Sequence, residues 1–146
     1  MKVIRKITNG ILIIVIGIMH TQFALSADGF IKQFQEFSRS SFFYLFKDME
    51  KLRVIADKSA FESFAAFWFF YFGILLIPLG FLVHSIEKKY KILPHSFTIS
   101  YLIVVLIGCY MMPESGMTFF MLPQSIYMLV SNYLKARTEK KTGCPE

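Results

Sequence analysis

The stretch GILIIVIGIMHTQFALSA, residues 10–27, decides how the rest of the chain is interpreted. It is either the apolar part of a signal peptide that ends near Ser26 or a first transmembrane helix that carries a buried His20. Apolar residues resume after His20, so the run over 7–25 approaches the ~20 residues that cross a bilayer. Its small residues share one helical stripe with His20, an arrangement that packed membrane helices need and a cleaved leader does not. We therefore interpret residues 1–26 as retained.

The distribution of charge extends this interpretation to the whole chain. At 55% hydrophobic residues the composition is only slightly above the ~45–50% of soluble domains, but charges are almost absent from three long stretches, 7–27, 63–86 and 96–134. The last stretch contains a turn signal with Pro and Gly at 113–116, so it indicates two helices joined by a hairpin. A soluble helical core would show polar faces at the helical period, and these stretches show none.

We predict an all-α fold: a bundle of four transmembrane helices, with an extracytoplasmic amphipathic helical segment between spans 1 and 2. The chain is expected to form one membrane domain. Its predicted parts are the spans at about 7–26, 61–86, 95–112 and 117–134, the outer segment at 27–60 and a cytoplasmic tail at 135–146.

Lysine and arginine predict the orientation of the bundle. They are in excess at the N-terminus, in the 87–94 connection and in the tail, whereas acids offset them in 27–60. By the positive-inside rule, both termini are predicted to be cytoplasmic. In the outer segment a stripe of Phe residues, including Phe34, lies opposite charged residues, and this pattern predicts helix over most of 29–53.

The candidate site centres on His20, an ionisable side chain deep in the first predicted span. Counting ~1.5 Å per residue from the inner basic anchors, Gly73, Tyr101 and Gln124 lie at or within one turn of the same depth on the other spans. Intramembrane ionisable groups are functional candidates, so we predict that these four residues bind a ligand and that Gly73 leaves room beside the imidazole. The alternative is a neutral histidine that hydrogen-bonds between helices.

Three further residues are secondary candidates. Gly17 precedes His20 on the small-residue stripe. Glu62 is expected to close a capping box with Ser59 at the start of span 2, which is its default role. Trp68 belongs to an aromatic block at the predicted outer interface, where Trp and Tyr anchor helices.

No metal-ligand, P-loop or dinucleotide-binding spacing occurs, so we expect no metal, no cofactor and no catalytic residue beyond a candidate role for His20. Cys109 is predicted in a span and Cys144 in the tail, which argues against a paired-thiol oxidoreductase. The expected partners are the lipid bilayer and a hydrophobic ligand or a partner membrane protein, with no nucleic acid.

The chain resembles a family of small uncharacterised bacterial four-helix membrane proteins. The resemblance is carried by Gly-Ile-Met-His at 17–20 and by FAAFWFFYFGILLIPLG (64–80), ILPHSFTISYLIVVLIG (92–108) and PESGMTFFMLPQSIYML (113–129). It implies a multi-pass bundle in the bacterial cytoplasmic membrane, with no established activity. The chain is more distantly similar to DoxX-like and sterol-isomerase-like bundles, and of the intramembrane His and Glu residues that the isomerase-like group uses, only His20 could match here.

Three functions follow as hypotheses. The leading one is a non-enzymatic membrane bundle that binds a hydrophobic molecule, a lipid or a partner membrane protein. The alternative is a membrane enzyme that uses His20 as a general acid or base on a lipid-like substrate. The third is a small ion-coupled exporter, for which the predicted spans offer no acid at mid-depth.

Overall fold

A computed structural model describes residues 7–39 and 58–142. Every element in these residues is an α-helix, which confirms the predicted all-α class. The helices are α1 (Asn9–Ala24), α2 (Ile31–Arg39), α3 (Lys58–Tyr90), α4 (His95–Met111) and α5 (Gly116–Thr142).

The observed helix α3 is longer than the predicted second span at both ends. It begins at Lys58, one residue before Ser59, and the predicted capping box of Ser59 and Glu62 stays a prediction. It continues to Tyr90, with Lys88 and Lys89 in its last turn, where cations complement the partial negative charge of a helix C-terminus. The next residue, Lys91, has a φ of 59° and turns the chain out of the helix.

Helix α5 extends past the predicted fourth span to Thr142, through most of the predicted tail. Charged residues limit an apolar span but do not end a helix, because Lys, Arg and Glu have high helix propensity. The predicted turn between the last two helices is present, since α4 ends at Met111, α5 begins at Gly116 and the two helices pack together.

The helices divide into two compact units, which are described separately. The hairpin unit contains Met1–Ile16 and Ile77–Glu146, and therefore α4 and α5. The aromatic unit is Gly17–Leu76 and contains α2 and the aromatic block of α3. The expected single membrane domain stays a prediction.

In the aromatic unit, helix α2 packs through its phenylalanines. The Phe30 ring, just before α2, lies 5.1 Å from the Phe69 ring, and the Phe34 ring lies 5.0 Å from the Phe70 ring, centroid to centroid. The apolar side of this amphipathic helix therefore faces the aromatic block. Residues 25–30 form the turn before α2, so the helix starts slightly later than predicted, and the part of the prediction beyond residue 39 lies outside the described residues.

In the hairpin unit, α1 and α3 cross at two glycines. A Cβ built on Gly80 would lie 2.6 Å from the Ile14 side chain and 2.7 Å from the Gly10 carbonyl oxygen. A Cβ on Gly10 would collide with the backbone of Gly80 and His84. Part of the small-residue stripe recognised in the sequence is therefore explained by the close approach of two helix backbones.

The surface of the described residues is unusually apolar, and their interior contains several polar side chains. Phe81, Val104 and Phe119 are 57%, 61% and 69% exposed. Buried polar or charged residues are Asn9, Glu87, Thr98, Gln124, Ser125 and Asn132. Among the described helices, the stretch Ala65–Tyr90 is long and apolar enough to cross a membrane, whereas Asn9–Ala24 and His95–Met111 are apolar but shorter.

Candidate functional site

His20 lies in the aromatic unit, half-buried against α3. Its Nε2 is 3.0 Å from the backbone oxygen of Phe69, and because a carbonyl can only accept, Nε2 is the donor. The imidazole stacks on the Phe69 ring with 3.8 Å between centroids and meets the edge of the Phe72 ring at 5.9 Å. One hydrogen bond and two aromatic contacts therefore fix the orientation of the ring.

The structure brings Gly73 next to His20, but the space beside this glycine is filled. A Cβ on Gly73 would lie 2.6 Å from Thr21 Oγ1 and 3.1 Å from His20 Cδ2. Thr21 Oγ1 in turn donates to the backbone oxygen of Gly17 at 2.8 Å. Gly73 thus permits close packing against α1, and the room expected beside the imidazole is occupied by Thr21. Whether His20, Gly73 and Gly17 bind a ligand stays a prediction.

Tyr101 and Gln124 lie in the hairpin unit, on the buried faces of α4 and α5. Gln124 is 6% exposed and Tyr101 is 9% exposed. The Tyr101 hydroxyl and both polar atoms of the Gln124 side chain are buried without a hydrogen-bond partner. The buried hydroxyls nearby in the sequence do have hydrogen-bond partners. Thr98 donates to the His95 backbone oxygen at 3.0 Å, and Ser125 donates to the Leu122 backbone oxygen at 2.9 Å. Of the five unpaired buried side-chain atoms in the described residues, three therefore lie on these two predicted site residues, and the other two are Asn9 Oδ1 and Ser115 Oγ.

Glu87 forms a buried polar cluster that sequence reasoning missed. Its Oε1 accepts from Asn9 Nδ2 at 2.7 Å, and its Oε2 accepts the backbone N–H of Gly10 at 3.2 Å. Lys135 Nζ lies 3.5 Å from Oε1. From the sequence, Glu87 is expected to begin the basic connection 87–94, because the lysines that follow it dominate the local composition. The available signal was the recurrence of Gly73, Gly80 and Glu87 every seventh residue, which puts them on one helix face.

A second buried contact joins α5 to the linker before α4. Asn132 Oδ1 accepts the backbone N–H of Leu93 at 2.7 Å, and Asn132 Nδ2 donates to the Leu93 backbone oxygen at 2.9 Å. A single amide thereby satisfies both backbone groups of a buried residue. The signal in the sequence was an asparagine seven residues after Ser125, on the same face of an apolar helix.

Two of the secondary candidates, Glu62 and Trp68, are exposed. Glu62 is exposed, and Trp68, which is 51% exposed, has its ring 5.7 Å from that of Phe67 and 5.9 Å from that of Tyr71. Within residues 7–39 and 58–142, no group of three or more His, Cys, Asp or Glu side chains is arranged to hold a metal ion.

Comparison with known proteins places the chain in a family without assigning it an activity. The chain matches the family of unknown function DUF6463 over residues 5–135, which is most of its length. No curated protein and no solved structure matches it. The resemblance to DoxX-like and sterol-isomerase-like bundles stays a prediction. Because the match spans nearly the whole chain, the protein belongs to the DUF6463 family.

Proposed function

We propose that this protein is an integral membrane protein that binds a hydrophobic small molecule or lipid without transforming it, and that α1, α3, α4 and α5 cross the bilayer. The observation that carries the proposal is the inverted polarity of the described residues. In water, large exposed apolar patches are unfavourable and buried polar side chains are uncommon. In lipid, apolar side chains can face outward while polar side chains join helices or contact a ligand.

Helix α5 supports this proposal although its composition is not strongly apolar. The charged residues that lower its average hydropathy begin at Lys135. In the apolar part, 117–134, the polar side chains of Gln124, Ser125 and Asn132 are buried. The residues that it exposes over the same length are almost all large and apolar: Phe119, Phe120, Ile126, Tyr127, Val130, Tyr133 and Leu134. The surface that α5 would present to lipid is therefore more hydrophobic than its average composition.

The shorter helices α1 and α4 need some adjustment of the bilayer. They have 16 and 17 residues, which at ~1.5 Å per residue falls a few ångströms short of a ~30 Å hydrocarbon core. The apolar residues Ile7, Leu25 and Met112 continue them beyond the helical bounds and are exposed. Local thinning of the bilayer accommodates such a mismatch at modest cost.

The unpaired atoms of Tyr101 and Gln124 support a small ligand more strongly than a partner protein. Each buried polar group without a partner costs about 1–3 kcal/mol, so a molecule that satisfies them would be bound favourably. These atoms are shielded from the surface. A molecule that inserts between the helices would reach them, whereas a protein docked on the outer faces would not. His20 and Gly73 remain proposed ligand contacts of the aromatic unit.

The second candidate is a membrane enzyme that uses His20. The observation that favours it is the hydrogen bond from Nε2 to Phe69, because a neutral imidazole that donates through Nε2 has its basic lone pair on Nδ1. Nδ1 is thus the nitrogen that would act as the general base. The exporter hypothesis has less support. Glu87, the buried acid of the described residues, already accepts hydrogen bonds from Asn9 and Gly10 near the ends of two helices.

The test is extraction and native mass spectrometry of the full-length protein. We expect the chain to remain in the membrane fraction after washing with alkaline carbonate. Released gently from lipid nanodiscs, it should retain a hydrophobic molecule above the level bound by an unrelated four-span protein of similar size. Release by carbonate would contradict the membrane proposal, and retention of bulk lipid alone would contradict specific binding.

A further inference from the structure

We infer that the α4–α5 hairpin binds a neutral amphiphile, a molecule with a hydroxyl, ester or ketone head group and a hydrocarbon tail, through Gln124 and Tyr101. This inference rests on the proposed function, because it names the class of ligand for a site inside the proposed membrane domain. It is carried by two polar side chains on packed helices that are buried, unpaired and at similar height.

The hairpin geometry gives the two side chains a common height. Helices α4 and α5 are antiparallel neighbours, because a short turn joins them and they pack on each other. Counted from the two ends of this turn, Met111 and Gly116, both Tyr101 and Gln124 lie two to three helical turns into the hairpin, within roughly one turn of each other at ~1.5 Å per residue. Their polar atoms do not bond to each other, so a third group is needed to satisfy them.

The donors and acceptors of the site define the head group. Gln124 supplies two N–H donors and one carbonyl acceptor, and the Tyr101 hydroxyl supplies one donor and can accept. A hydroxyl on the ligand would accept from one of these groups and donate to another. An ester or ketone oxygen would accept from both. A head group with one hydroxyl, ester or ketone oxygen therefore matches the unpaired donors and acceptors of Gln124 and Tyr101.

The surroundings favour a head group without charge. Glu87 is the buried charged side chain of the described residues, and it is already bound by Asn9, Gly10 and Lys135. Lys135 lies eleven positions beyond Gln124 on α5, which corresponds to ~16 Å along the helix. An anion or cation at Gln124 would thus be buried without a counter-charge, which is strongly unfavourable.

The outer faces of the same helices suit the tail. Ile103, Val104 and Ile107 of α4 and Phe119 and Phe120 of α5 are each about half-exposed or more. A hydrocarbon chain that leaves the head-group site between the helices would therefore meet apolar side chains and lipid. The inferred ligand is thus amphiphilic, with its polar end held inside the hairpin.

Photo-crosslinking of the full-length protein in phosphatidylcholine nanodiscs tests the inference. The probes are a long-chain alcohol that carries a diazirine and an alkyne, and an alkyl sulfonate and an alkyl trimethylammonium that carry the same groups. We expect the alcohol to label peptides of α4 and α5, with competition by unlabelled hexadecanol, and the two charged probes to label them at background level.

Variants separate recognition from folding. Gln124→Leu and Tyr101→Phe should each lower labelling by the alcohol by roughly fivefold to tenfold, the loss that accompanies one or two hydrogen bonds. Gln124→Leu removes unpaired buried atoms and should fold at least as well as the wild type. The matched control is Ser125→Ala, whose hydroxyl bonds within α5, and it should keep labelling within about twofold of wild type.

The outcomes distinguish this inference from the function on which it rests. If the protein is not retained in membranes, the proposed function fails. If it is retained but Gln124→Leu labels as strongly as wild type, Gln124 does not hold the head group and the inference is overturned. Equal labelling by a charged probe would overturn the assignment of a neutral head group.

Discussion

The carboxylate of Glu87, in the last turn of α3, accepts the backbone N–H of Gly10, in the first turn of α1, with 3.2 Å between Oε2 and the nitrogen. The first turn of α1 contains no acidic residue of its own. The unpaired N–H groups at a helix N-terminus favour a negative charge, and here that charge comes from another helix. The second carboxylate oxygen accepts from Asn9, so Glu87 fixes the start of α1 at two adjacent residues.

Replacing Glu87 should therefore destabilise the protein. Glu87→Ala leaves the Asn9 amide and the Gly10 N–H buried without an acceptor, and we expect a loss of about 2–3 kcal/mol in the free energy of unfolding. Glu87→Gln should lose less, because it keeps an acceptor oxygen. Lys135→Gln is the control, and it should destabilise the protein less than Glu87→Ala, because its ion pair is long, its side chain is half-exposed and the bonds to Glu87 from Asn9 and Gly10 remain. Thermal unfolding in detergent micelles measures all three, and a control as damaging as Glu87→Ala would refute the argument.

The glycine crossing gives a second prediction. Gly80→Ala places a methyl group against Ile14 and the Gly10 backbone, so the helices must separate, and we expect destabilisation of about 1–3 kcal/mol. Gly116→Ala introduces the same methyl group where nothing lies within 4 Å, and its effect should stay within about 0.5 kcal/mol. Equal midpoints of thermal unfolding for the two variants would contradict the close crossing.

Gln124 should behave unlike most buried polar residues. Because both of its polar atoms lack partners, Gln124→Leu should raise the stability of the ligand-free protein, by about 1 kcal/mol. Asn132→Leu is the contrast, because it removes two hydrogen bonds to Leu93 and should lower stability. Chemical unfolding of delipidated protein gives both values. A destabilised Gln124→Leu would mean that its amide is satisfied in the native state.

Accessibility labelling tests the proposed topology. In a Cys109→Ala, Cys144→Ser background, Ser40→Cys should react with an impermeant maleimide in intact cells, because basic residues favour a cytoplasmic location for both termini but not for 27–60. Thr138→Cys should react only after the membrane is permeabilised. Labelling of Thr138→Cys from outside would reverse the orientation.

His20 is tested by separating stability from ligand retention. His20→Ala removes the hydrogen bond to Phe69 and the stacking on its ring. The free energy of unfolding should therefore fall by about 1–2 kcal/mol, the range of a hydrogen bond between membrane helices. His20→Asn should recover part of this stability. If the imidazole contacts a ligand or transfers a proton, both variants will lose ligand retention or turnover while the protein still folds. Unchanged retention in both variants would leave His20 with a structural role.

Helix positions could be predicted from the sequence more fully than the contacts between helices. The apolar runs and the Pro- and Gly-containing turn predict helices close to the observed α1, α3, α4 and α5. The helix ends at Lys58 and Thr142 lie beyond the predicted span ends, because charged residues tolerate helix beyond an apolar run. Gly73 was correctly expected next to His20, but Thr21 was not expected to fill the space between them.

Sequence by itself determined the all-α class and the apolar stretches, because helix propensity and hydropathy act over a few neighbouring residues. Tertiary structure alone decided which polar groups have partners. The Glu87 carboxylate accepts a hydrogen bond from Asn9, 78 residues away in the chain. The buried amide of Gln124 has no hydrogen-bond partner. The physical reason is that the cost of a buried polar atom depends on the groups that face it across a helix interface, and those groups are distant in sequence.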